Sequence, residues 1–188
     1  MLAIVPVQAL ARAKTRLAPA LTTAERTTLS VEMLDCVLEA CFQATTVRET
    51  LVVTPDPRLA RGDHVVIDDG VGHAPAIAAA LRHPRARDGA VVVMADCPLV
   101  LADAIDRLVE AASPVALARA ADGGMNGFAF RGELVFQPVF GVPNAASATI
   151  ERARAVGLDP VVLDDPLFAF DVDLPADLER LRALVAAA

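Results

Sequence analysis

Short unbroken apolar runs alternate along this chain with longer stretches whose apolar residues recur every three or four positions. The first pattern reads as buried strand and the second as a helix with one buried face. Ala3–Val7, Leu51–Thr54, His64–Ile67 and Ala90–Met94 are therefore expected as strands. Val91-Val92-Val93 shows no alternation at all, as in a central strand covered on both faces. Thr22-Thr23-Ala24-Glu25 forms a capping box, with Thr22 as N-cap and Glu25 at the third helical position. It opens a helix reaching about Ala44, along which Leu29, Met33, Val37 and Cys41 keep helical spacing. Further helices are expected from Pro75 to Leu81 and from Ala102 to Ala112.

Beyond Ala112 strand signals become denser. Pro114–Ala118 and Gly127–Phe130 read as strands about a turn at Gly123-Gly124. Ser147 is the expected N-cap of a helix ending at Gly157. Val161–Leu163 and Leu167–Val172 are the last expected strands, and Asp173 opens a closing helix through about Val185. Strand and helix in alternation imply an α/β domain with a mostly parallel central sheet and helices on both faces. The late strands add a small antiparallel portion. No repeat or linker interrupts residues 1–188, so they read as one domain.

Composition narrows the functional classes. The apolar fraction is 55%, much of it alanine, yet no uncharged apolar run is long enough to cross a bilayer. Met1 runs directly into Leu2-Ala3-Ile4-Val5 without the basic segment of a signal peptide, so a cytoplasmic protein is expected. A net charge of −7 argues against general nucleic-acid binding, and the absence of Trp and Tyr argues against base-stacking platforms. Neither excludes a small anionic substrate in a locally basic, metal-assisted pocket. Cys36, Cys41 and Cys97 match no zinc or redox spacing, and the first two fall in an apolar helical run as small hydrophobes. The apolar composition is compatible with a homodimer.

In open α/β sheets, ligands bind beyond the carboxyl ends of the strands, so polar residues just after a strand are the candidates for chemistry. Asp96 follows the Val91–Ala95 run, Asp171 follows Leu167–Phe170, and Asp173 stands two residues on. Carboxylates at such an edge suit Mg²⁺, which takes a few carboxylates plus water and phosphate oxygens. The same positions also suit helix caps for Asp96 and Asp173. The connection after the first strand carries Arg12-Ala13-Lys14-Thr15-Arg16, a set of fixed positive charges for phosphate. It lacks the glycine pattern of a Walker A loop.

The opening Ala3-Ile4-Val5-Pro6-Val7 and Ala13-Lys14-Thr15-Arg16-Leu17-Ala18-Pro19 resembles that of the guanylyltransferases of coenzyme F420 biosynthesis. The resemblance continues through Val53-Thr54-Pro55-Asp56, Met94-Ala95-Asp96-Cys97-Pro98-Leu99, Asp122-Gly123-Gly124 and Phe140-Gly141. It ends on Asp171-Val172-Asp173-Leu174-Pro175-Ala176-Asp177-Leu178 and so runs nearly the full length. It implies a nucleotidyltransferase fold like that of the nucleotide-diphospho-sugar transferases. It also implies that GTP, with Mg²⁺, guanylylates a small phospho-acid such as phosphoenolpyruvate, 2-phospho-L-lactate or 3-phosphoglycerate. Under that resemblance Asp96 and Asp171 match metal-binding carboxylates, Lys14 and Arg16 match basic residues at the triphosphate, and Gly141 matches a glycine whose amide faces the acceptor's carboxylate. Arg12, Gly72, His73, Cys97, Gly124, Met125, Asn126 and Asn144 are the further candidates for substrate contact.

Three positions depart from the family pattern. Gly72-His73-Ala74 stands where Gly-Leu-Asn is usual, and Gly124-Met125-Asn126 where Gly-Thr-Asn is usual. Asn144 stands near a frequent serine, and a histidine that commonly follows is missing. All three bear on recognition of base or acceptor rather than on metal and phosphate. A glycosyltransferase using a sugar nucleotide and a non-catalytic nucleotide-binding homologue stay open at this level, because one fold hosts many activities.

Overall fold

The computed structural model describes residues 1–70 and 72–187. Its strands are β1 (Leu2–Pro6), β2 (Glu49–Thr54), β3 (His64–Ile67), β4 (Gly89–Val93), β5 (Val115–Arg119), β6 (Met125–Arg131) and β7 (Val161–Leu163). Its helices are α1 (Thr23–Gln43), α2 (His73–Leu81), α3 (Ala102–Ala111), α4 (Ala145–Ala155), α5 (Pro166–Ala169) and α6 (Pro175–Ala186). Among the described residues the strands form one sheet in the order β3-β2-β1-β4-β6-β5-β7. β6 runs antiparallel to β4 and β5, and every other pairing is parallel. The expected α/β architecture with its small antiparallel portion is thus the one observed.

Alternate residues of the central strands enter opposite core layers, as the pleat requires. Ala3, Val5, Val91 and Val93 pack with Leu34, Val37, Ile105 and Leu108 of α1 and α3. Leu2, Ile4, Val92, Phe128 and Phe130 pack on the other face with Ile77 of α2 and Ala146 of α4. A third cluster, Leu17, Leu21, Met33, Phe170, Val172 and Leu178, lies beyond the ends of the strands. No helix among the described residues is long and apolar enough to cross a membrane.

The capping box forms as expected: the Glu25 N–H donates to Thr22 Oγ1, and the Thr22 N–H donates to Glu25 Oε2 at 2.7 Å. Four expectations are corrected. The segment expected as strand Leu167–Val172 begins instead as the short helix α5. Asp165 accepts the Leu167 N–H at 2.9 Å and Pro166 occupies the first helical position, and this start signal overrides the β-propensity that follows. Helix α4 starts before Ser147, because Asn144 adopts a left-handed conformation (φ 62°, ψ 22°) that asparagine tolerates, and helical geometry begins at Ala145. Asp173 does not open α6. The Asp177 carboxylate accepts the N–H groups of both Asp173 and Leu174, which caps that end from within. Cys36 faces solvent on α1, whereas Cys41 is buried and its thiol is pushed up to about 12 by that burial.

One glycine is demanded by packing. A Cβ on Gly127 of β6 would stand 2.7 Å from both Leu108 Cδ2 and Phe168 Cε1. Leu108 has rotamers to spare, but the Phe168 ring is fully buried in the same layer. Gly127→Val is expected to lower the unfolding free energy by roughly 1–3 kcal/mol through overpacking. Urea denaturation beside wild type measures it, and an unchanged midpoint would mean that α5 is not seated on β6.

Candidate active site

The site forms where the sheet's parallel strands end. Asp96 lies three residues past β4, and its side chain meets Lys14 Nζ at 2.7 Å rather than capping α3. The helix-cap reading of Asp96 and Asp173 therefore fails for both residues. Asp171 and Asp173 sit on the extended stretch between α5 and α6, where Phe170 and Val172 point into the third apolar cluster. The period-two alternation of an extended segment turns the two intervening carboxylates the other way, toward the cavity. Oxygens of Asp96, Asp171 and Asp173 come within 4.8 Å of one another. An all-oxygen donor set of this kind fits a hard divalent cation such as Mg²⁺.

The first basic loop reaches the same point. Lys14 adopts a left-handed conformation (φ 48°, ψ 44°) between two 3₁₀ turns, Leu10–Arg12 and Thr15–Leu17. Its ammonium donates to Asp96 Oδ2 at 2.7 Å and to Asp173 Oδ1 at 2.8 Å. Arg16 Nη1 stands 3.5 Å from Asp173 Oδ2 and is largely exposed. Leu17, in the next turn, is buried in the third cluster with Phe170 and Val172. One apolar cluster thus anchors both the cationic loop and the anionic segment.

The electrostatics follow from this crowding. Burial opposes charge on Lys14, but Asp96 and Asp173 outweigh it and raise its pKa. Burial likewise opposes charge on Asp96, and the Lys14 ammonium reverses the balance and lowers its pKa. Asp171 lacks a direct cation. Burial, then the charge of Asp96, push its carboxyl up to about 6 against the opposing hydrogen bond from Asn126. Asn126 Nδ2 donates at 3.2 Å to Asp171 Oδ1 and at 2.9 Å to the Phe168 carbonyl, so this amide orients Asp171 rather than a turn. His73, at the start of α2, has its pKa lowered by burial, despite the nearby Asp96.

A cavity of about 470 Å³ surrounds these groups. Of the residues singled out in the sequence, Arg12, Lys14, Arg16, His73, Asp96, Gly124, Met125, Asn126, Gly141, Asp171 and Asp173 line it. Three candidates do not. Cys97 is fully buried behind Asp96, its thiol raised by burial, and cannot contact a substrate. Asn144 lies outside the wall, its Oδ1 beside Gly123. Gly72 lines a second cavity of about 330 Å³, which shares Pro6, Val7, Gln8, Arg12 and His73 with the first. Ala74 lines neither. The sequence reading missed Asp68 and Asp69 in the second cavity and Asp122 and Ser30 in the first. Asp68 and Asp69 follow β3 directly, the same strand-end signal that marked Asp96.

Comparison with known proteins places the chain in a family. The family described as guanylyl transferase, CofC-like, matches residues 1–183. A phosphoenolpyruvate guanylyltransferase of Sphaerobacter thermophilus is 38% identical over 192 residues, covering 96% of this chain and 91% of the relative. A 2-phospho-L-lactate guanylyltransferase of Halomicrobium mukohataei is 38% identical over 185 residues, covering 96% and 85%. Among solved structures, a nucleotidyl transferase from Methanothermobacter superposes with a TM-score of 0.67 over 99% of this chain and 97% of that one. At 19% identity it shows the shared fold alone.

Asp171 carries a stability signature. A carboxyl whose folded pKa exceeds its unfolded value costs stability once ionised, and here the cost is full above about pH 6 and vanishes toward the ordinary 3.8. Asp171→Asn is expected to raise the Tm of the metal-free protein at pH 7–8, with the gain shrinking below pH 6 and gone near pH 4. Thermal melts across that range read it, and a pH-independent difference would contradict the assigned environment.

Proposed function

The chain belongs to the CofC-like guanylyl transferase family, and from that premise we propose that it transfers GMP from GTP to a small phosphorylated carboxylic acid, releasing pyrophosphate. One observation carries the reading: three carboxylates and a lysine ammonium converge within one cavity at the strand ends, with two further arginines on its wall. Fixed charges of both signs suit a reaction in which phosphate charge is redistributed and little else changes.

In the proposed reaction a phosphate oxygen of the acceptor attacks the α-phosphorus of GTP. The new O–Pα bond forms as the bond from Pα to the bridging oxygen of the β-phosphate breaks, and pyrophosphate departs with that electron pair. A phosphate monoester is already largely ionised near pH 7, so the attack needs no general base. Asp96, Asp171 and Asp173 would hold the Mg²⁺, which supplies charge neutralisation at the reacting phosphates. Lys14 and Arg16 steady the triphosphate and then the leaving pyrophosphate, and Arg12 does so from the seam between the two cavities. Asn126 keeps Asp171 turned inward. The second cavity, walled by Val7, Val53, Pro55 and Ala76, has the apolar sides that a flat base needs. That leaves the wall of Met125 and Gly141 for the acceptor.

The product would join guanosine to the acid through a diphosphate, of the kind used in coenzyme F420 biosynthesis. Phosphoenolpyruvate, 2-phospho-L-lactate and 3-phosphoglycerate are the acceptors to separate. Met125 offers no hydroxyl to a substrate, so selection falls to shape and to backbone groups such as those around Gly141.

Pyrophosphate release is the test, with GTP and Mg²⁺ against each of the three acids and with ATP and CTP as controls. Release that requires both GTP and one acid is expected. Nucleotide binding without release under any acceptor would overturn the reading. In the productive pair, Asp96→Ala is expected to lower kcat by at least about 100-fold while the protein stays folded; full activity in that variant would remove Asp96 from the chemistry.

A further inference from the structure

Asp56 lines neither cavity and has no part in the proposed chemistry, yet it is only 7% exposed. It follows β2, one strand over from the loop that carries Lys14. The Leu10 N–H donates to Asp56 Oδ2 at 3.2 Å, a buried contact across 46 residues of sequence. Leu10 opens the 3₁₀ turn Leu10–Arg12, and its cap position holds Ala9, which has no side-chain acceptor to offer. The first N–H groups of a helical turn need an acceptor from outside it. A side chain at position 9 would reach the N–H groups of residues 11 and 12 rather than that of Leu10, so Asp56 supplies from beyond β2 an acceptor that no local cap provides.

The acceptor is itself held rigid. Arg58 grips the carboxylate in a fork, Nε to Oδ1 at 2.9 Å and Nη2 to Oδ2 at 2.7 Å, and its backbone N–H donates to Oδ1 as well. The Asp56 N–H donates to Thr54 Oγ1 at 3.1 Å. The bonds from Arg58, with that from the Leu10 N–H, hold the carboxyl down at about 2, so it stays an acceptor throughout the neutral range. On the loop side Leu10 is buried, and the Ala13 N–H donates to the Leu10 carbonyl at 3.2 Å. The position of Leu10 is thereby passed through the turn to Arg12 and Lys14.

We propose that Asp56 is a positioning residue whose carboxylate caps the Leu10–Arg12 turn and so sets where Arg12 and Lys14 stand in the cavity. Its effect on turnover rests on the proposed guanylyl transfer, whereas its effect on the turn does not. The two are measured separately, by kinetics and by amide hydrogen exchange of residues 10–14.

Asp56→Ala is expected to speed exchange in residues 10–14 by about tenfold or more relative to β1, and to raise the KM for GTP about tenfold with a smaller change in kcat. Arg58→Ala breaks the fork but leaves the Leu10 contact, so it should lower Tm with the KM for GTP near that of wild type. Wild-type exchange in residues 10–14 of Asp56→Ala would overturn the proposal, as would equal KM effects from Asp56→Ala and Arg58→Ala. If Asp56→Ala does not fold, Asp56→Leu, which fills the site but offers no acceptor, carries the same comparison, with faster exchange at 10–14 expected and no change overturning. Absence of GTP turnover in wild type would sink the proposed reaction and leave the exchange result to decide the cap.

Discussion

The Lys14 ammonium, held between Asp96 and Asp173, is the contact on which the rest of the site depends. Three carboxylates gathered in a partly buried corner repel one another, and each is penalised for leaving water. A single cation shared by two of them opposes that cost, and Lys14 and Asp96 respond by favouring their charged forms. Asp171, without that partner, records what is left over in a carboxyl raised to about 6. The corner therefore retains an unmet demand for positive charge, and its donors are all oxygen. That is the chemical character of a site for a divalent cation and the phosphates it accompanies.

Such a contact needs its members delivered accurately, and the apolar cluster beyond the strand ends does this. Phe170 and Val172 bury their side chains, so Asp171 and Asp173 must face the other way. Leu17 enters the same cluster and fixes the turn that follows Lys14. Arg180 stacks over the Phe170 ring at 5.2 Å, tying α6 to the same segment. Hydrophobic burial, which has no direction of its own, becomes directional here because an extended chain alternates its two faces.

Much of this was legible in the sequence and some was not, for reasons that are local. Val91-Val92-Val93 announces a central strand because nothing but burial on both faces explains it, and Asp96 then falls at a ligand-binding edge. The capping box at Thr22 reads correctly because its partners are three residues apart. The segment after Asp164 misleads because its Phe and Val content speaks for strand, while one aspartate and one proline set a helix start. Asn144 and Lys14 take left-handed backbones that no periodicity reveals. Cys97 flanks Asp96 in sequence and was read as lining the pocket, yet the turn after β4 sends its side chain into the core. Pairings across long separations, such as Asp106 with Thr45 and Thr46, leave no trace in composition or spacing.

The two sets of charges are carried differently. The negative charges stand just past the end of a central strand and on a segment packed into a core cluster. The positive charges stand on a loop of short turns, and Lys14 holds a conformation that costs a non-glycine residue of order 1 kcal/mol. The two carboxylates that the ammonium holds offset that cost. A cation on a long side chain can exchange one anionic partner for another without moving the backbone that carries it. The proposed reaction, which takes up a triphosphate and lets go of a pyrophosphate in each cycle, has use for that freedom.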